Sequence, residues 1–404
     1  MSALTPSGNC ASLGKSFQTM QIFAARRKKQ IAAAIALGLF ALGAAYVVHL
    51  RQDMSDFGVV CYRAGERIRS GEPLYRPTDG HMQFKYAPLS AVFFVPFSLL
   101  PLAAAKAAWF IVEIVLLTAC LALAYRCLAP PRKKPLLVLG LTILVLAKFI
   151  GREFELGQVN LLILFLVLAS LAAWRKGREG WAGVLWGLSL FFKPYALVFL
   201  PYVLLRRRFR ILAAGAATVA AGLAVPMFLY GWTGNLRLLG EWVGTLTQST
   251  PVLLEVGDNA SLYAFLAKHI GRNGLSTGLF FGIAVVLAGS VLWLMIRARR
   301  DGAAGSEMLD FAFLLVLVPL LSPLGWYYNY LYGLAAVAVI LNSLDRLSPA
   351  WQYTAGIDLL IIGGTLREVL GKTAFRFYTH HSLVAVNFLI VLLVLAHLRD
   401  RKVA

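Results

Sequence analysis

Hydrophobic residues in this chain fall in long blocks separated by short polar and basic stretches, not at the three- and four-residue spacing of a soluble amphipathic core. Blocks at 31–50, 102–127, 135–150, 157–174, 211–231, 276–297, 308–322, 326–344, 352–371 and 382–398 approach the length that carries a helix across a bilayer. Block 180–205 is basic at both ends and interrupted by Lys193-Pro194, which predicts a hairpin of two crossings with that dipeptide at its tip. Block 86–101 is short and contains Pro88, Pro96 and Pro101, so it predicts a broken, re-entrant or surface-lying segment. The pattern predicts an all-α polytopic membrane protein of about twelve transmembrane helices.

Charge supplies the orientation. The net charge of +20 sits in a chain that is 59% hydrophobic and only 14% charged. Its Lys and Arg cluster at the ends of apolar blocks: Arg26 to Lys29, Arg132 to Lys134, Arg175 to Arg178, Arg206 to Arg210, Arg297 to Arg300 and Arg399 to Lys402. Such clusters face the cytoplasm and anionic headgroups, so they argue for membrane lipids as partners and against nucleic acid. Both termini are then cytoplasmic, and the outer regions are 51–101, 151–156, the Lys193 tip, 232–275, 323–326 and 372–381. The expected location is the inner (plasma) membrane, multi-pass. Residues 1–25 form a flexible cytoplasmic tail, and 26–404 a single transmembrane domain without internal repeats. The 31–50 block is too long for a signal-peptide core and is expected to remain as the first span. Gly14-Lys15-Ser16 lacks the preceding glycine of a phosphate loop, and Cys10, Cys61, Cys120 and Cys127 show no disulfide framework.

Candidate chemistry gathers in the outer regions. In residues 55–75, Phe57, Val60, Cys61, Ala64 and Ile68 recur at helical spacing and Gly71 ends the run, which predicts an amphipathic juxtamembrane helix. Asp56 at its foot is a candidate N-cap and, compatibly with that, a candidate general base positioned to take a proton from a hydroxyl group. Asp53 is its nearest competitor. Lys193 and Arg152 are candidate phosphate ligands, with Arg63 and Arg67 suited to headgroups. Gln158 and Asn160, next to Glu153 and Glu155, are able to bond sugar hydroxyls or to satisfy a tight turn. Glu113 lies inside an apolar block and needs a partner or a proton. His380-His381 has no carboxylate at ligand spacing, so no metal ligands are assigned.

A family resemblance sharpens this. Asp56-Phe57 with Tyr62, Ala64, Gly65, Gly71, Pro73, Leu74 and Tyr75, followed by Tyr86-Ala87-Pro88-Leu89, resembles the first outer loop of polyprenol-phosphate-mannose-dependent mannosyltransferases, glycosyltransferase family 87 of the GT-C membrane superfamily. Gly157-Gln158-Val159-Asn160, Phe192-Lys193-Pro194, Asn259-Ala260-Ser261-Leu262 and Ser322-Pro323 with Trp326 continue the likeness in order. The resemblance implies a GT-C-type fold and inverting transfer of a hexose, mannose first, from a polyprenyl-phosphate-linked donor to a lipid or glycan acceptor on the extracytoplasmic side. It makes Asp56 the general base, and the donor is a substrate rather than a cofactor. Sugar or acceptor contacts fall to Tyr62, Gln158, Asn160, Asn259, Trp326, Tyr327 and Tyr328. Where the family commonly carries Trp followed by histidines, this chain has Trp326-Tyr327-Tyr328-Asn329, rings that stack on sugars but take no proton at neutral pH. The competing class, a secondary transporter or lipid-linked sugar flippase, calls for ionisable groups near the midplane in both halves.

Overall fold

The computed structural model describes residues 53–128, 130–254, 256–300 and 307–400, together with Gly43 and Ala44. The expected tail 1–25, the first crossing 31–50 apart from Gly43 and Ala44, Cys10 and the basic residues at both chain ends apart from Arg399 lie outside the described residues. The chain divides into two units, Met1–Asp53 and Met54–Ala404. The second is helical throughout, its one extended pairing among the described residues being an isolated antiparallel bridge between Asn259 and Trp326.

Three helices, Leu102–Cys127, Pro135–Leu156 and Gly274–Arg300, are long and apolar enough to cross a membrane. Two bent pairs, Phe209–Ala224 with Met227–Ser249 and Arg367–His380 with Val384–Asp400, raise the number to five among the described residues if each is one span. Apolar side chains such as Leu136, Phe228, Val285 and Leu360 remain largely exposed on this surface, as expected where lipid is the solvent. This is a membrane protein.

Several expected segments differ in detail. The 211–231 block is not one straight span: the chain turns by 92° between Ala224 and Met227, where Pro226 lacks the N–H needed to continue the helix. Much of 232–275, expected as an outer loop, is helix, in Met227–Leu253 and Leu262–Ile270, and all of 372–381 but His381 falls within Arg367–His380. Positive φ angles at Gly231 and Gly371 kink these two helices at the points where polar composition suggested loops. The 86–101 block forms the 11-residue helix Pro88–Ser98, about half the length of a crossing.

Glu307–Leu321 and Leu334–Ser343 are buried along nearly their whole length, as helices apolar on every side must be. Asp310 within them is paired with Arg206 at 2.9 Å and with Arg399, so this buried carboxylate is compensated. Glu113 is not: it is fully buried and neither oxygen has a hydrogen-bond partner among the described residues, so of the partner or proton that its sequence context calls for, the partner is not found there.

The first arm of the hairpin that carries Lys193 is seated on its neighbour by small residues. Helix Glu179–Ser189 lies so close to Phe209–Ala224 that a Cβ on Gly183 would meet the Ile211 carbonyl at 2.3 Å. After Ser189 the chain breaks at Lys193, and the Trp186 indole donates to the Ala196 carbonyl at 2.8 Å, joining the two arms.

Candidate active site

The segment bearing Asp56 is docked on the C-terminal end of Pro135–Leu156. The Met54 amide donates to the Glu155 carbonyl at 2.7 Å, and Met54 itself is buried at φ 46°, a left-handed conformation that a non-glycine residue adopts only under constraint. Gly157 ends the receiving helix at φ 67°, and a Cβ there would lie 2.6 Å from the Phe57 Cβ. A π-helical turn, Phe57–Tyr62, then runs into the helix Arg63–Ser70, which stops at Gly71 in the left-handed region. Phe57 stacks on Trp109 at 5.5 Å and meets Phe94 and Phe97 edge-on, so the apolar face of this helix is buried in protein.

Asp56 does not cap this helix. Its backbone is already helical, and its side chain accepts no bond from the first turn. The carboxylate instead accepts from the Gln158 side-chain amide and from Ser55 Oγ at 3.3 Å. Gln158 Oε1 accepts in turn from Lys193 Nζ at 3.2 Å, and Lys193 also donates to Asn160 Oδ1 at 2.9 Å. Asn160 Nδ2 donates to Glu153 Oε2 at 2.8 Å, while Glu153 Oε1 accepts the Asn160 and Leu161 amides at 2.6 and 3.0 Å. Glu153 therefore caps the helix Asn160–Arg175 from the preceding one, a charge placed at the positive end of a helix dipole. Tyr332 completes the network by donating to Asn160 Oδ1 at 3.1 Å.

Burial raises the Asp56 carboxyl above its ordinary value; the hydrogen bond from Gln158, the charge on Lys193 and, more weakly, Ser55 and Arg152 oppose the rise. The carboxylate opens onto a cavity of about 750 Å³, within the usual range for a small-molecule site. Lys85, Arg152, Gln158, Lys193 and Tyr328 line its polar part with Asp56, and Phe192, Val198, Leu246, Leu253 and Leu317 give it an apolar wall. Arg152 pairs with Glu155 at 2.7 Å and Asp258 at 3.3 Å. Lys193 lies 5.2 Å from the Tyr328 ring centre and 5.6 Å from that of Tyr195.

Of the residues singled out in the sequence, Asp56, Arg152, Gln158, Lys193, Trp326 and Tyr328 line the cavity. Asn160 stands behind them, bonded to Lys193. Tyr62 is turned away, its hydroxyl donating to the Leu100 carbonyl at 2.9 Å. Asn259 is fully buried and binds the Pro323 and Leu254 carbonyls at 2.9 and 3.1 Å, which pins its loop to the Ser322-Pro323 turn. Tyr327 packs on Phe149 at 5.1 Å, away from the cavity. Arg67, expected at headgroups, forms a bidentate pair with Asp79 at 2.6 and 2.9 Å. Sequence reading passed over Lys85, which stands immediately before the Tyr86-Ala87-Pro88-Leu89 motif and became visible only through the cavity it lines. Asp258, at the head of the Asn259-Ala260-Ser261 loop, also lines that cavity.

The family model described as Glycosyltransferase family 87 matches residues 84–323, a range that begins after Asp56 and contains the other cavity residues from Lys85 to Ser322. The chain is 26% identical over 307 residues to a polyprenol-phosphate-mannose-dependent alpha-(1-2)-phosphatidylinositol mannoside mannosyltransferase of Mycobacterium tuberculosis, covering 71% of this chain and 69% of that protein. It is 28% identical over 325 residues to a protein of the same description from Mycolicibacterium smegmatis, covering 73% and 71%. A polyprenol-phosphate-mannose-dependent alpha-(1-2)-phosphatidylinositol pentamannoside mannosyltransferase of the same species is 26% identical over 256 residues, covering 63% and 60%. With more than half of its length matched by one family model, this chain belongs to glycosyltransferase family 87.

Proposed function

We propose that the protein transfers mannose, with inversion, from a polyprenyl-phosphate-linked donor to a glycolipid or glycan acceptor at the extracytoplasmic face of the inner (plasma) membrane. The observation that carries this reading is the Asp56 carboxylate, unused by the helix it begins and open to a cavity lined both by the cations Lys85, Arg152 and Lys193 and by apolar side chains. The donor named in the relatives' descriptions combines the matching groups, an anionic phosphate on a greasy chain.

In the proposed step the acceptor hydroxyl oxygen attacks the anomeric carbon as Asp56 takes the hydroxyl proton, and the bond from that carbon to the phosphate oxygen breaks with its electron pair passing to the polyprenyl phosphate. Lys193 and Arg152 stabilise the charge that develops on the leaving phosphate. Gln158 orients the base, and Trp326 and Tyr328, whose rings lie 6.4 Å apart, offer faces for the sugar. The architecture proposed around this site is a single GT-C-type domain over 26–404 with about twelve crossings and cytoplasmic termini, supported by the clustering of Lys and Arg at block ends.

Supplying purified, bilayer-reconstituted protein with either polyprenyl-phosphate mannose or a nucleotide-activated mannose tests the reading. The lipid donor alone is expected to support transfer, with one polyprenyl phosphate released per sugar moved. Transfer from the nucleotide donor and none from the lipid donor would overturn it.

A further inference from the structure

Three cations line the cavity, and they differ in how far protein groups already occupy them. The Arg152 guanidinium holds two carboxylates, Glu155 at 2.7 Å and Asp258 at 3.3 Å. Lys193 donates to the side-chain oxygens of Asn160 and Gln158 at 2.9 and 3.2 Å and lies against the rings of Tyr328 and Tyr195. Lys85 Nζ, among the described residues, has one hydrogen-bond acceptor, the His81 carbonyl at 3.1 Å. An ammonium has three N–H donors, so Lys85 keeps two for a ligand. An anion approaching Arg152 meets a guanidinium whose charge is already offset by two carboxylates, although not all of its five N–H donors are used, and one approaching Lys193 competes with the amide network that holds Asp56.

The backbone that carries Lys85 is held firmly. The Trp242 indole donates to the Lys85 carbonyl at 3.0 Å, the Ala87 amide donates to the Phe191 carbonyl at 2.9 Å, and the Tyr75 hydroxyl donates to the Tyr86 carbonyl at 2.7 Å. Phe84 and Tyr86 pack edge to face at 5.4 Å, which anchors the residues on both sides of Lys85. On so fixed a segment, binding has only the lysine side chain to order and not the backbone that carries it. Burial lowers the Lys85 ammonium from its ordinary value, and the charge on Asp56 works against that shift.

We propose that Lys85 is the first protein ligand of the donor phosphate, ahead of Lys193 and Arg152, whose charges act on the leaving oxygen, and that Lys193 also holds Gln158 against Asp56. This rests on the lipid-phosphate donor proposed above. A phosphate drawn to Lys85 places its leaving oxygen in the same cavity as the base, and the ammonium offsets the repulsion between phosphate and carboxylate.

The test is equilibrium binding of farnesyl phosphate to the full-length protein in nanodiscs, with farnesol as the uncharged control, for wild type and the Lys85→Gln, Lys85→Arg and Lys193→Gln variants. Lys85→Gln is expected to weaken farnesyl phosphate binding about ten- to hundredfold and to leave farnesol binding unchanged. Lys85→Arg should stay within a few-fold of wild type, and Lys193→Gln should lose less than Lys85→Gln. Unchanged farnesyl phosphate binding in Lys85→Gln, equal loss of farnesol, or a larger loss in Lys193→Gln overturns the assignment of Lys85. Wild type that binds no farnesyl phosphate overturns the lipid-phosphate donor, and this inference with it.

Discussion

A carboxylate at the foot of a helix ordinarily bonds the unsatisfied N–H groups of the first turn, and Asp56 is the exception because its own backbone is helical and its oxygens face the cavity. Its environment pulls in two directions: burial raises the carboxyl, and Gln158 and Lys193 restrain the rise. A base must be deprotonated to act, so transfer should be full above the folded-state value and lost as pH falls through it, at a pH above that of an ordinary aspartate. Removing a restraint moves that pH further up. Lys193→Gln should therefore shift the acid limb of kcat to higher pH, as should Gln158→Leu, in rate–pH profiles measured at saturating donor. An acid limb in the same place for both variants would show that the chain from Lys193 through Gln158 to Asp56 does not set the base.

At the scale of elements, the site depends on how the segment around Met54 meets the end of Pro135–Leu156. Gly157 is required twice there, by its left-handed φ of 67° and by the 2.6 Å that would separate a new Cβ from Phe57. Gly157→Ala should cost about 1–3 kcal/mol, read as a lower thermal midpoint, together with a lower transfer rate as Asp56 loses its register with Gln158. A variant equal to wild type in both would separate the docking from the chemistry. The helix at 57–70 and its stop at Gly71 were legible in the sequence, since apolar spacing and a glycine stop act locally. Met227–Leu253 and Arg367–His380 were not, because a mixed surface with a glycine kink has the composition of a loop. Asn259 and Tyr327 were legible as motif residues, but not their direction, which the bridge between Asn259 and Trp326 fixes across long sequence separation.

For the molecule as a whole, hydropathy and basic clusters gave the membrane character and Pro194 marked one break, whereas the turn at Pro226 went unread and Pro96 lies inside a helix. Bringing residues 56, 85, 152, 158, 193 and 328 to one cavity is a property of packing between distant segments, which no local pattern encodes. Lys85 passed unnoticed for that reason, as one lysine among 39 basic residues. The docked Asp56 helix, the small-residue seam that seats the first arm of the Lys193 hairpin and the Asn259 loop all serve to hold that cavity in shape. The most direct measurement is single-turnover mannose transfer by reconstituted wild type and Asp56→Asn, with thermal midpoint and farnesyl phosphate binding measured on the same preparations. The account predicts an Asp56→Asn protein that folds and binds as wild type does yet transfers about a hundred- to ten-thousandfold more slowly; a folded Asp56→Asn protein within a few-fold of the wild-type rate would contradict it.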